Sequence, residues 1–320
     1  MKGYIAYRLP NSETVSVKNG IVISYDSIDE LLNDDGFIFN AFDSKTNFFI
    51  NNLTNCKLED FIIYDSKNEI HCQNQSDYLT ICNTLIHFLQ TKSINKAILS
   101  RIKQVDSNFD PIELFERLNK TYTNTFNYLI SIENIGCWIG ATPEVLLEAN
   151  GSDFKTVSIA GTKTDDNIEW GEKEINEQLI VTDFINKTIK AITTDFTQSK
   201  PTTIKAGNVY HLKTSFEGKT DNWTTLIKTL HPTPATCGLP QKDAQQHIES
   251  IEKHKREFYT GFLGPFSKNK ANLFVNLRCL QYQNKRAYLY LGGGITAQSI
   301  AKNEWTETEN KGKTLIDLIE

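Results

Sequence analysis

The stretch "EVLLEANGSDFKTVSIAGT" limits the fold more than any other part of the chain. Two strand-like segments flank Asn150-Gly151, a dipeptide that favours a tight β-hairpin because both residues tolerate positive φ. A hairpin creates an antiparallel pair, and a second hairpin is expected at "LFVNLRCLQYQNKRAYLYLGGGI". Further strands are expected at "KAILSRIKQV", "FNYLISI", "CWIGA", "PTTIKAG" and "VYHLKTSF". Other segments have a helical period. "SDYLTICNTLIHFLQ" spaces Tyr78, Ile81, Leu85 and Leu89 along one helix face. "DPIELFERLNK" opens with Asp110 as N-cap, Pro111 at the first helical position and Glu113 as capping-box partner. An amphipathic helix is expected from about Glu169 to Thr193, and others around "NWTTLIKTL" and "KDAQQHIESIEKHKREF". Hairpins alternating with long helices predict an antiparallel α+β protein, not a doubly wound parallel sheet.

No linker, low-complexity tract or internal repeat divides the 320 residues, so one domain, 1–320, is expected. Within it, 1–75 reads as a variable N-terminal portion of irregular short strands without chemistry. Residues 76–320 read as the catalytic core. The net charge of −5 gives no electrostatic reason for a nucleic-acid or anionic-membrane partner. No apolar run has bilayer-spanning length, and "MKGYIAYRLPNSETV" turns polar too soon for a signal peptide. Six cysteines without a CxxC pair suit a reducing cytoplasm better than a disulfide framework or zinc knuckle.

The polar residues give several open readings. "NEWTETENKGKTL" puts Glu304, Glu307 and Lys311 at offsets of three and four, stacking them on one helix face. "GEKEINEQLIVTDFI" does the same for Glu174 and Glu177. One such pair is ordinarily a solvated face. Two pairs on separate helices also permit one glutamate from each to hold a hard divalent ion through oxygen, as Mg²⁺ is commonly held. The proline-rich "LHPTPATCGLP" around His231 is either a rigid structural turn or a positioned loop. Gly292, Gly293 and Gly294 in "YLGGGIT" lack the dinucleotide-binding spacing. They form either a strand-end bulge or exposed N–H groups for a carboxylate. Arg278, read within an apolar strand on the face of Phe274 and Asn276, is an edge group or a planar carboxylate clamp. Lys96 and Glu144 each stand at the head of a strand, where a flanking charge is the simple reading.

In order, "KAILSR", "WIGATPEVLL", "SIAGTK", "EKEINEQLIVTD", "VYHLKTSFEG", "LHPTPATCGLP", "REFYTGFLGPF", "FVNLRC", "LYLGGGI" and "EWTETENK" resemble the signature of the chorismate-utilising enzymes. That family includes anthranilate synthase component I and the aminodeoxychorismate, isochorismate and salicylate synthases. The resemblance runs from about Lys96 onward. It implies an antiparallel β-sandwich core with helices outside, the anthranilate synthase component I-like fold, and a deep cleft that uses Mg²⁺.

Within the family, the lysine opening the "KAILSR" block marks members that add water rather than ammonia. "IAGT" places Ala160 where aminodeoxychorismate synthases carry a nucleophilic lysine. The chain therefore resembles isochorismate synthase best, which isomerises chorismate by adding water at C2 and losing the C4 hydroxyl. By resemblance Lys96 is the general base and Glu144 the general acid, roles that need a neutral amine and a protonated carboxyl. Glu177 and Glu307 correspond to metal ligands, with Glu174 and Glu304 behind them on metal waters. Gly161, His231, Arg278, Gly292, Gly293, Gly294 and Lys311 correspond to substrate-binding positions. Glu177-Gln178 departs from the family's frequent Glu-His. No glutaminase partner is implied, a monomer is expected, and menaquinone biosynthesis is the expected destination, with a siderophore pathway as alternative. Salicylate synthase, which goes on to eliminate pyruvate, is the nearest alternative activity, and an inactive chorismate-binding protein a remote one.

Overall fold

The computed structural model describes residues 1–91, 94–106, 109–206 and 209–319. Its strands are β1 (Lys2–Arg8), β2 (Val15–Ser24), β3 (Gly36–Asn40), β4 (Asn47–Asn55), β5 (Lys96–Val105), β6 (Phe126–Ile132), β7 (Gly136–Thr142), β8 (Val145–Asn150) and β9 (Asp153–Lys163). They continue with β10 (Phe196–Gln198), β11 (Thr202–Ala206), β12 (Val209–Lys219), β13 (Gly238–Leu239), β14 (Phe262–Ser267), β15 (Lys270–Val275), β16 (Cys279–Gln283) and β17 (Arg286–Ile295). The helices are α1 (Gln75–Thr91), α2 (Pro111–Thr121), α3 (Glu172–Lys190), α4 (Trp223–Leu230), α5 (Gln241–Ile251) and α6 (Ala301–Ile319). No helix among the described residues is long and apolar enough to cross a membrane.

Every strand pairing is antiparallel, and together they make one continuous ribbon. Its first half runs β13–β5–β17–β16–β7–β6–β1. It continues through β2–β4–β3–β14–β15–β8–β9–β12, with β10 and β11 on the outer edge of β12. The ribbon doubles back on itself. Phe126 of β6 stacks on Phe274 of β15 at 4.3 Å, and Trp138 of β7 meets Phe39 of β3 edge-on. These rings are almost wholly buried, and each removes from water an area that favours the sandwich by about 2–3 kcal/mol.

Helices cover the outer faces through their apolar stripes. α3 and α4 place Val181, Ile185, Leu226 and Leu230 over Phe154 and Phe216. α2 and α6 place Leu114, Leu118 and Leu315 over Leu129, Ile139 and Leu289. α1 and α5 close the end near β5. The antiparallel sandwich with helices outside agrees with the sequence expectation.

Four details differ from it. Residues 1–55 are more regular than expected, because β1 to β4 link the two halves of the ribbon, whereas 56–74 hold no strand and only one short 3₁₀ turn. α3 begins at Glu172 after Gly171 as N-cap. α5 ends at Ile251, since Glu252 leaves the helix to receive the backbone N–H and hydroxyl of Ser100 at 2.7 and 2.8 Å, while Arg256 bonds back to Glu252. Finally, Arg278 does not sit in a strand. β15 ends at Val275, β16 starts at Cys279, and Arg278 adopts φ 48° between them. The expected hairpin forms with its turn one residue later: Asn150 ends β8 and pairs with Asp153, and Gly151 (φ 61°) and Ser152 make the turn.

Candidate active site

Lys96 is the first residue of β5, which pairs with the glycine run of β17 so that Gly294 lies opposite Ile98 and Gly292 opposite Ser100. The glycines are a steric requirement here. A Cβ on Gly294 would sit 2.7 Å from Lys96 Cε, and one on Gly292 would sit 2.6 Å from the Tyr259 hydroxyl. The Lys96 side chain thus crosses bare backbone to reach the cleft, and it is only 2% exposed.

Glu144 stands just after β7, its backbone tied by Val275 N–H to its carbonyl at 2.9 Å and by its own N–H to Thr142 Oγ1 at 3.3 Å. Burial pushes its carboxyl up to about 8, with Lys96 and Lys311 pulling the other way. A carboxyl so placed keeps its proton at neutral pH and can donate it.

Lys96, Glu144, Glu177, Glu307 and Lys311 all line one cavity, as do Gly161, Arg278 and Gly292 to Gly294. α3 delivers Glu177 and α6 delivers Glu307 and Lys311, so the suspected face of the last helix is buried against the sheet rather than solvated. Lys311 Nζ lies 2.6 Å from Glu307 and donates to the Gly292 carbonyl at 3.0 Å. Burial works to raise the Glu307 carboxyl, but Lys311 outweighs it and holds the group below the usual range. Lys96 Nζ is 3.7 Å from Glu177.

Glu304 belongs more directly to this cluster than its expected supporting place implied. It is 1% exposed. A Cβ on Gly293 would lie 3.6 Å from both Glu304 Oε2 and Glu307 Oε1, so the two carboxylates face each other across bare backbone. Burial and then Glu307 raise the Glu304 carboxyl, while Lys173 opposes them. Among the described residues no three His, Cys, Asp or Glu side chains form a closed metal cage. The convergent donors are nonetheless all carboxylate oxygens in a cradle that a side chain at Gly293 would fill. That donor set fits a hard divalent cation that keeps some of its waters.

Two expected residues lie elsewhere. Glu174 lines an adjoining hollow with Trp170 and Asn310 that shares Glu307 and Thr162 with the cleft. His231 is not on the cleft at all. It caps the end of α4, packs edge-on against Phe262 and lines a separate hollow with Tyr25 and Asn40. Burial lowers it to about 4. The proline-rich loop around it reaches the cleft through Ala235 instead.

The histidine on the cleft is His211, near the start of β12. Its Nδ1–H donates to the Gly161 carbonyl at 2.8 Å, leaving Nε2 to accept from Arg278 at 3.2 Å. Burial, then Arg278 and Lys311, lower it to about 3, so it is neutral and its tautomer is set by those two partners. Arg278 is held from its other side by Thr314 Oγ1 of α6 at 3.0 Å. The left-handed backbone at Arg278 is what turns a residue between two strands toward α6. A buried histidine among the apolar residues of "VYHLKTSF" was the signal for His211. Gln178 points away from the cleft, with its amide on Ser158 Oγ at 2.9 Å and near Thr214 Oγ1 at 3.3 Å, fastening α3 to the sheet.

The family model described as chorismate binding enzyme matches residues 33–320. Isochorismate synthase EntC of Escherichia coli strain K12 is 29% identical over 246 residues, covering 71% of this chain and 63% of that protein. Isochorismate synthase 2, chloroplastic, of Arabidopsis thaliana is 28% identical over 271 residues, covering 78% of this chain and 48% of that one. The chain thus spans less than two-thirds of the length of these curated relatives. The structure of MenF, the menaquinone-specific isochorismate synthase from Escherichia coli, shares the fold with a TM-score of 0.86 at 18% identity, over 99% of this chain and 89% of that one.

Proposed function

The chain belongs to the chorismate binding enzymes, and on that premise we propose that it is an isochorismate synthase that exchanges a ring hydroxyl of chorismate through addition of water. One observation carries the reading: a lysine and a protonated glutamic acid share one cleft, with Glu144 raised to about 8 by burial. The Lys96 amine takes a proton from the water that bonds to C2, and Glu144 gives its proton to the hydroxyl that leaves C4. One water enters and one leaves, the diene shifts between them, and the product is an isomer of the substrate. Lys96 ends as an ammonium and Glu144 as a carboxylate, and a proton passes from the one to the other through solvent before the next turnover.

Arg278, Lys311 and the backbone of Gly292 to Gly294 suit the substrate's carboxylates. Glu177 and Glu307, with Glu304 beside them, are the residues that would hold Mg²⁺. When bound, the ion offsets negative charge where a dianion meets these glutamates. Ala160 lines the cleft and has no amine for a covalent adduct with the ring, which supports water as the nucleophile.

The test is incubation of the purified protein with chorismate and Mg²⁺, followed by chromatography. Isochorismate as the sole product supports the proposal. Salicylate with pyruvate replaces it with salicylate synthase, and absence of any conversion overturns it.

A further inference from the structure

Lys173 lies one helical turn before Glu177 on α3 and reaches across to α6. Its Nζ is 3.0 Å from Glu304 Oε1 and 3.9 Å from Glu177 Oε1. The other Glu304 oxygen faces Glu307 across Gly293. One ammonium therefore spans two carboxylates, from two helices, at the place where carboxylates converge.

Three amines touch this cluster, and they are not equivalent. The Lys96 and Lys311 side chains are 3% and 18% exposed, while that of Lys173 is 33% exposed. Lys96 and Lys311 line the cleft; Lys173 stands at its rim. It has a flexible four-carbon stem with solvent on one side, so it is the amine with room to leave.

We propose that Lys173 is a resident counter-ion of the metal site, occupying Glu177 and Glu304 until an incoming divalent cation displaces it. This rests on the reading of Glu177 and Glu307 as Mg²⁺ ligands. A divalent ion drawn to the Glu177 and Glu304 carboxylates meets Lys173 already beside them, and like charges a few ångströms apart repel, so the ion competes with the ammonium for this place. Lys173 offsets the repulsion among three glutamates while no metal is present. It also weakens metal binding by the fraction of time it holds the oxygens. A substrate that brings its own carboxylate to the ion tips the exchange, so metal and substrate bind more tightly together than apart.

Binding of Mn²⁺ to the full chain, followed by the loss of free-ion signal in electron paramagnetic resonance, tests this without turnover. Lys173→Met is expected to tighten Mn²⁺ binding about tenfold in the absence of substrate, the amount set by a competitor present about nine-tenths of the time. Lys173→Arg keeps the charge and is expected to stay near wild type. Circular dichroism verifies that both variants are folded, and Lys173→Gln replaces the methionine variant if that one is not. Equal or weaker Mn²⁺ binding by the neutral variants overturns the displacement and makes Lys173 a support for the glutamates. If neither wild type nor variants bind Mn²⁺, the metal reading itself falls and takes this proposal with it.

Discussion

Replacing Glu144 by glutamine separates the burial of this group from its chemistry, because the amide keeps the shape and cannot ionise. In the folded chain the carboxyl is raised from 4.5 to about 8. Between those values the folded state holds a proton that the unfolded state has lost. Stability must then fall as pH rises through that window and level off above it. From about pH 6 to the folded-state value, the loss attributable to this group is about 3 kcal/mol. Glutamine contributes no such slope. Urea unfolding of both proteins between about pH 6 and about pH 9 should show the variant gaining about 3 kcal/mol relative to wild type across the range. The same variant should lose about 10²–10⁴ in turnover, since no proton reaches the leaving hydroxyl, and wild-type turnover should decline above about pH 8. A stability difference that does not change with pH would refute the argument that burial keeps this carboxyl protonated.

Other perturbations test the remaining parts of the site. Lys96→Ala should reduce turnover by about 10²–10⁴ with a cooperative thermal transition retained, and near-full activity would remove it from the role of base. Gly294→Ala places a methyl 2.7 Å from Lys96 Cε, so kcat should fall with little change in the far-ultraviolet circular dichroism spectrum. Glu177→Gln and Glu307→Gln should each raise the Mg²⁺ concentration for half-maximal activity at least about tenfold, measured by titration at saturating chorismate. Arg101→Met removes a buried guanidinium that donates to Thr308 Oγ1 at 2.9 Å, pairs with Glu309 and covers the Trp305 ring at 3.8 Å. It should destabilise the chain by about 1–2 kcal/mol in urea unfolding, through the lost hydrogen bond to Thr308 and the lost cover of Trp305, since Glu309 keeps Lys103 at 2.7 Å.

What could be read from sequence follows the range of the interactions involved. β5 coincides with "KAILSRIKQV", whose Ala97, Ile98, Leu99, Ile102 and Val105 give enough local apolar and β-branched character for a strand. Glu304, Glu307 and Lys311 could be grouped because helical spacing is a local property. The ordered blocks then joined them to Glu177 by family likeness, a connection that spacing alone does not make. Family likeness points to His231 rather than His211, because which histidine faces a cavity depends on sheet neighbours far along the chain. The turn at Arg278 has no glycine to announce it, and its Asn276 is buried, accepting from the Tyr128 hydroxyl and donating to the Phe258 carbonyl. Lys173 could not be paired with Glu304, since that contact exists only after α3 and α6 have docked. The N-terminal strands looked irregular because their partners, β6 and β14, come much later in the sequence.

The pairing of β5 with β17 has a consequence for how this molecule comes into being. The strand that starts with Lys96 has most of its ladder with residues 287–295, and α6 follows those. A chain emerging from the ribosome can form early hairpins, but Lys96, Glu144 and α6 meet only after residues 287–319 have been synthesised. Such distant closures are slow and leave open strand edges in the meantime. The cleft is accordingly assembled late in biogenesis, and the half-made chain is the form most in need of protection from self-association.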